Sequence, residues 1–183
     1  LNVWGDGGII VTSDEELASR LRLLRNHGLK DRNTCVEFAY NSRLDTVQAV
    51  IAIYVLKNKL CNITSSRISN ALLLNALLSE IPNVEIVEKS RNSKEVYHLY
   101  QFCTEHQESL CTYLKSKEID CKIHYPIPMH LQPAASYLGY NYGDFPVAEM
   151  LARKTLSLPV HEYITEDDVY YMANCINSFC SKL

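Results

Sequence analysis

LNVWGDGGIIVTSDEEL, residues 1–17, packs three glycines into positions 5–8, ahead of an apolar tetrad and an acid-rich helix start. A dinucleotide fingerprint would need a strand, G-x-G-x-x-G, then a helix; here position 10 is Ile, and IIVT (9–12) follows as an expected short buried strand. The phosphate loop of nucleoside triphosphatases fails too, because no Gly-Lys-Ser/Thr follows. The glycines then read most simply as a tight turn needing positive φ. Ser13 with Glu16 predicts a capping box, and Leu17, Leu21 and Leu24 give one apolar helical face that Gly28 stops. The order is turn, strand, helix, stop. A strand such as IIVT needs partners on its flanks, and nothing N-terminal in the chain supplies them. The first segment therefore reads as the tail of a larger α/β unit.

At 183 residues, with 47% hydrophobic and 21% charged residues, the composition is that of a folded globular protein. A net charge of -3 with mixed signs gives no basic stripe for a nucleic-acid backbone. The longest apolar run, AVIAIYVL (49–56), is far shorter than the roughly 20 residues of a membrane helix, so neither nucleic acid nor membrane is expected as a partner. Seven cysteines, an odd number at irregular spacing, with Cys103, Cys111 and Cys175 inside apolar patterns, point to a reducing cytoplasm and to core filling. No C-x-x-C pair occurs, and His124 and His130 are not spaced as a helical metal pair, so no metal is expected.

KDRNTCVEFAYN (30–41) is a polar connection, and DTVQAVIAIYVLKNKL (45–60) predicts a helix apolar nearly all round, buried in a core or at a subunit contact. A further helix over 65–84 closes with Pro82; VEIVEK (84–89) and VYHLYQFCT (96–104) alternate like strands. Then come a helix near ESLCTYLKSKEI (108–119), a strand CKIHY (121–125), a proline-rich loop YPIPMHLQPA (125–134), a helix PVAEMLARK (146–154), a strand TLSLPV (155–160), and a final helix capped by Thr165 with Asp168. Residues 61–183 thus read as a compact α+β domain of three or four strands with helices packed on them.

Two stretches could carry chemistry. In AYNSRLDTVQA (39–49), Asn41 and Arg43 precede a helix N-terminus, where a phosphate or carboxylate is favoured and an Arg can grip it bidentately. The alternative is a cap and a surface ion pair. In KIHYPIPMHLQPA (122–134), His124, Tyr125, His130 and Gln132 offer donors and acceptors to a hydroxyl-rich ligand from a proline-stiffened loop. His and Tyr are also ordinary residues at strand ends. No G-x-S-x-G elbow and no H-E-x-x-H occur, and the DEE and EDD runs sit at helix starts, where the helix dipole accounts for them.

Taken in order, residues 1–28, NSRLDTVQAV (41–50), IHYPIPMHLQPA (123–134) and TLSLPV (155–160) followed by ITEDD (164–168) resemble the DegT/DnrJ/EryC1/StrS family of sugar aminotransferases, within the fold-type I pyridoxal phosphate enzymes. Ala39 stands where the family often has Gly. The resemblance implies that residues 1–60 end a large cofactor-binding domain and that 61–183 form a small α+β domain with a short, mainly antiparallel sheet. It implies pyridoxal 5'-phosphate as cofactor, with Asn41, Gly7 and Gly8 beside it, and a homodimer with shared active sites, in which Asn41 reaches the phosphate held by the neighbouring subunit. Arg43, His124, Tyr125 and His130 would face the substrate, a nucleotide-linked keto sugar that receives an amino group from an amino acid such as glutamate. In that family the Schiff-base lysine lies just upstream of the glycine stretch, so it is expected before Leu1. Lys30, Lys57 and Lys59 sit in polar or helix-end settings unsuited to replace it. Two alternatives stand beside this reading: a family member that uses the cofactor for dehydration, and a non-catalytic binding or assembly module.

Overall fold

The computed structural model describes residues 3–87 and 92–183. The chain divides into two compact units, Leu1–Leu60 and Cys61–Leu183.

In the first unit, α1 (Glu15–Leu24) starts one residue later than the sequence suggests: Asp14 is the N-cap, its carboxylate accepting from the Leu17 amide at 3.0 Å. Ser13 and Asp14 are both good caps, but a carboxylate is the stronger acceptor and suits the positive end of the helix. The expected strand IIVT is not formed; Ile9, Ile10 and Val11 are exposed and unpaired in any ladder. A strand is defined by its neighbours, and among the described residues none lies beside this one. Of the glycines in 5–8, only Gly5 takes positive φ, at 132°.

Gly28 lies three residues beyond the C-cap, Arg25, with φ 68°. A Cβ there would sit 1.6 Å from the Glu37 carbonyl oxygen, so close backbone approach, more than helix capping, demands glycine. The approach arises because 26–41 folds back on itself, through bridges Asn26–Asn41 and Leu29–Cys35 and a His27 amide donating to the Tyr40 carbonyl at 3.0 Å. The polar connection is therefore an ordered loop. Helix α2 (Thr46–Asn58) follows; only Ala52 is buried, while Val47, Val50, Ile53 and Tyr54 are exposed. The all-round apolar pattern is present, but the burial expected of it is not supplied by the described residues.

The second unit holds the core. Helix α3 (Leu60–Leu78) leads to a three-stranded antiparallel sheet ordered β1 (Glu85–Ile86), β2 (Tyr100–Cys103), β3 (Thr155–Leu158). Of the expected strand 84–89, residues 88 and 89 lie outside the described residues. In register, Tyr100 opposes Leu158 and Phe102 opposes Leu156. These four are buried with Leu74 and Leu78 of α3, Leu110 and Leu114 of α4 (Gln107–Ser116), and Val169 and Ile176 of α6 (Glu166–Cys180). Alternation in the strands and 3.6-residue spacing in the helices bring one face of each element to this cluster. Helix α6 carries the expected capping box, Thr165 with Asp168.

CKIHY is not a strand but a single bridge, Lys122 to Ser157, because Pro126 and Pro128 lack the amides a ladder would need further on. The proline-rich loop forms two 3₁₀ turns, Met129–Leu131 and Pro133–Leu138, before α5 (Pro146–Lys154), which runs directly into β3. The Gln107 side chain donates to the carbonyls of Ala152 (3.0 Å) and Thr155 (2.8 Å), locking that junction to α4. Among the described residues no helix is long and apolar enough to cross a membrane.

Phe102 is fully buried and Leu72 is 53% exposed. Phe102→Ala is expected to lower stability by about 3–5 kcal/mol, and Leu72→Ala to change it by less than about 0.5 kcal/mol. Urea unfolding followed by far-UV circular dichroism measures both.

Candidate functional site

The first cluster lies in the first unit. Arg43 Nε donates to Asn41 Oδ1 at 2.9 Å, and Arg43 Nη1 donates to Asn26 Oδ1 at 3.1 Å. Asn26 and Asn41 are themselves a bridge pair, so the folded loop presents an amide, a guanidinium and a second amide together, just ahead of α2. Those bonds consume the two amide oxygens, which leaves donor N–H groups as the chemistry on offer. Gly7 is held close to the same stretch: a Cβ there would meet Leu44 Cδ1 at 3.0 Å. Gly8 has open space where a Cβ would stand. Donors beside a helix N-terminus with an open glycine nearby fit an anionic phosphate such as that of pyridoxal phosphate.

The second cluster lies in the second unit, where β3 is buried on both faces. Leu156 and Leu158 enter the core, and Ser157 faces the other way. Its Oγ lies 2.9 Å from His124 Nδ1, and Gln101 Nε2 donates to both Ser157 Oγ and the His124 carbonyl at 3.4 Å. His124, Ser157, Lys122 and His161 line a cleft of about 750 Å³. With Nδ1 committed to Ser157, Nε2 is the ring nitrogen left for a ligand. Tyr125 is 74% exposed, its ring edge-on to His124 with centroids 5.6 Å apart.

His130, expected to face the substrate, does not join them. Its side chain is 8% exposed, and Nε2 lies 3.0 Å from Oε1 of Glu149 in α5. Glu149 also accepts from the amides of Gly143 (2.8 Å) and Phe145 (3.3 Å). Burial acts to raise the Glu149 carboxyl, but the Gly143 amide, the His130 ring and the Phe145 amide outweigh it and hold it below its ordinary value. This is an internal post that fixes the loop between residues 130 and 145. Sequence reading missed Ser157, Gln101 and Glu149. The polar alternation of Thr155 and Ser157 against Leu156 and Leu158 is the signal that would have found Ser157, whereas no local pattern joins His130 to a carboxylate 19 residues away. Among the described residues no group of three or more His, Cys, Asp or Glu could hold a metal ion.

A carboxyl held low in the folded state favours folding fully above its unfolded value, and that contribution is lost as pH falls through the folded one. Glu149 is such a group, with an ordinary value of 4.5. The gap in urea midpoint between the wild type and Glu149→Gln should be widest at pH 7 and narrow towards pH 3, measured at both.

The profile of the DegT/DnrJ/EryC1/StrS aminotransferase family matches residues 1–177. The chain is 35% identical over 181 residues to a pleiotropic regulatory protein of Geobacillus stearothermophilus, covering 98% of this chain and 48% of that protein. It is 32% identical over 186 residues to the dTDP-3-amino-3,4,6-trideoxy-alpha-D-glucose transaminase of Streptomyces venezuelae, covering 100% and 48%. The crystal structure of S. venezuelae DesV in complex with a ketimine intermediate superposes with a TM-score of 0.95 at 32% identity, covering 100% of this chain and 49% of that one. The chain spans about half the length of the relatives it matches. With the fold, the ordered motifs and this extent of similarity in agreement, the chain belongs to the DegT/DnrJ/EryC1/StrS aminotransferase family.

Proposed function

We propose that the chain is the C-terminal portion of a nucleotide-sugar aminotransferase that moves an amino group from an amino acid, glutamate being the natural choice, to a keto sugar carried on a nucleotide. The observation that carries this reading is the family match over residues 1–177. Residues 1–60 would end the large cofactor-binding domain and 61–183 would form the small one, a division that the two compact units support. The lysine bonded to the cofactor would lie upstream of Leu1.

Pyridoxal phosphate, when bound, supplies the electron sink that lets an amino group change hands. Asn41 would hold its phosphate with amide N–H donors, and Arg43 would turn its guanidinium N–H groups towards the substrate; the Arg43–Asn41 and Arg43–Asn26 bonds keep those donors oriented before a ligand arrives. Gly7 keeps the glycine stretch close to Leu44, and Gly8 keeps space open beside it. His124 Nε2 and the Tyr125 hydroxyl would meet sugar hydroxyls, the His124 ring being fixed by Ser157. His130 would act from behind, through Glu149, by holding the loop that follows Tyr125. The exposed apolar side chains of α2 support a homodimer in which Asn41 serves the partner's cofactor. Seven unpaired cysteines support a cytoplasmic setting.

An absorbance scan of the 183-residue chain with pyridoxal phosphate and then glutamate is expected to show no band that responds to glutamate. A stoichiometric, glutamate-responsive band would put the cofactor lysine inside this chain and overturn that assignment. In the longer parent protein, Asn41→Ala should weaken cofactor retention about tenfold, one lost charge-assisted hydrogen bond, read by dialysis and absorbance.

A further inference from the structure

Cys35 and Cys61 are exposed, and five cysteines are buried. Two of the buried ones are neighbours in space: Cys111, on α4, and Cys121, on the segment that returns towards β3, bring their sulfurs to 2.9 Å. Each thiol also reaches the other's carbonyl, Cys121 Sγ to Cys111 O at 3.5 Å and Cys111 Sγ to Cys121 O at 3.8 Å. The two thiols therefore face one another across adjoining backbones. A disulfide needs about 2.05 Å between sulfurs, so closing the gap takes a shift of about 0.9 Å, within the reach of small side-chain rotations. Cys103 is engaged elsewhere, with Thr155 Oγ1 at 3.6 Å.

We propose that Cys111 and Cys121 are a disulfide-forming pair, oxidised by hydroperoxides. Cys111, a residue 5% exposed against 0% for Cys121, lies nearer the surface and takes the first step. Its thiolate attacks a peroxide oxygen, the O–O bond breaks, and a sulfenic acid and one water form. Cys121 sulfur then attacks the sulfenic sulfur, the S–O bond breaks, and a second water leaves. Two thiols and one hydrogen peroxide become one disulfide and two waters, with two electrons passing from the sulfurs to the peroxide.

Burial, with the adjacent Cys111, pushes the Cys121 thiol up to about 12. Cys121 is therefore almost entirely thiol, so the second step, its attack on the sulfenic sulfur, is slow. A sulfur of high thiol pKa is also a poor leaving group, so the bond resists reduction by small thiols once made. The link would tie α4 to the segment that leads into His124, closing a loop between residues 10 apart.

The test treats the purified 183-residue chain with hydrogen peroxide, alkylates it in denaturant, and maps tryptic peptides without reduction. Peptide 118–122 (EIDCK) is expected linked to peptide 95–115, two hydrogens short, in the wild type and in Cys103→Ser, and unlinked in Cys111→Ser. The linked protein should melt several degrees higher, as a short loop closed by a disulfide predicts. Recovery of Cys111 and Cys121 as alkylated thiols while Cys35 and Cys61 are oxidised would overturn the proposal. So would a link that survives Cys111→Ser or vanishes in Cys103→Ser. The wild-type and Cys103→Ser maps decide the matter even if Cys111→Ser fails to fold.

Discussion

Strand β3 is buried on both faces, and a buried polar side chain has to be paired. Leu156 and Leu158 meet that condition by joining the core with Tyr100 and Phe102. Ser157 meets it by bonding His124 and taking a hydrogen bond from Gln101. A core requirement and the orientation of a proposed binding residue are therefore met by the same piece of chemistry: the hydroxyl that must not be orphaned is the group that holds the imidazole at the cleft. His124 needs no dedicated scaffold, because the sheet already has to supply one.

Much of this was legible, and the difference lies in range. Helix α6 is written locally, in Thr165 and Asp168 followed by an apolar face, and it forms as read. Strand β3 is written in its alternation, and α5 in its opening proline. What failed depended on distant neighbours. IIVT has the composition of a buried strand, but a ladder partner is not a property of four residues, and Ile10 is exposed. CKIHY has strand-like alternation, yet Lys122 alone pairs. His130 has the polar, loop-borne profile of a ligand contact, and a carboxylate on a separate helix claims it. Asn41 and Arg43 were singled out as donors by their place before α2; the bonds that orient them run to Asn26, which nothing nearby in sequence announces.

The two units differ in how they treat apolar surface. In the second unit Leu74, Leu110, Leu156 and Ile176 are at zero exposure, the close packing expected of a self-sufficient core. In the first, Trp4, Phe38, Val47 and Val50 stand in the open. Surface of that kind is typical of a contact face, and the ordered loop of residues 26–41 sits in the same unit. The proposed cofactor residues are thus carried by the unit with little core, and the proposed sugar residues by the unit with much.

Helix α5 ends at Lys154 and β3 begins at Thr155, with no connecting loop. Glu149, which anchors His130, and Ser157, which anchors His124, are consequently mounted on one continuous rod. This sets where the chain can change length over evolutionary time. A single residue added between 154 and 155 would invert the strand, turning Ser157 into the core and Leu156 towards the cleft.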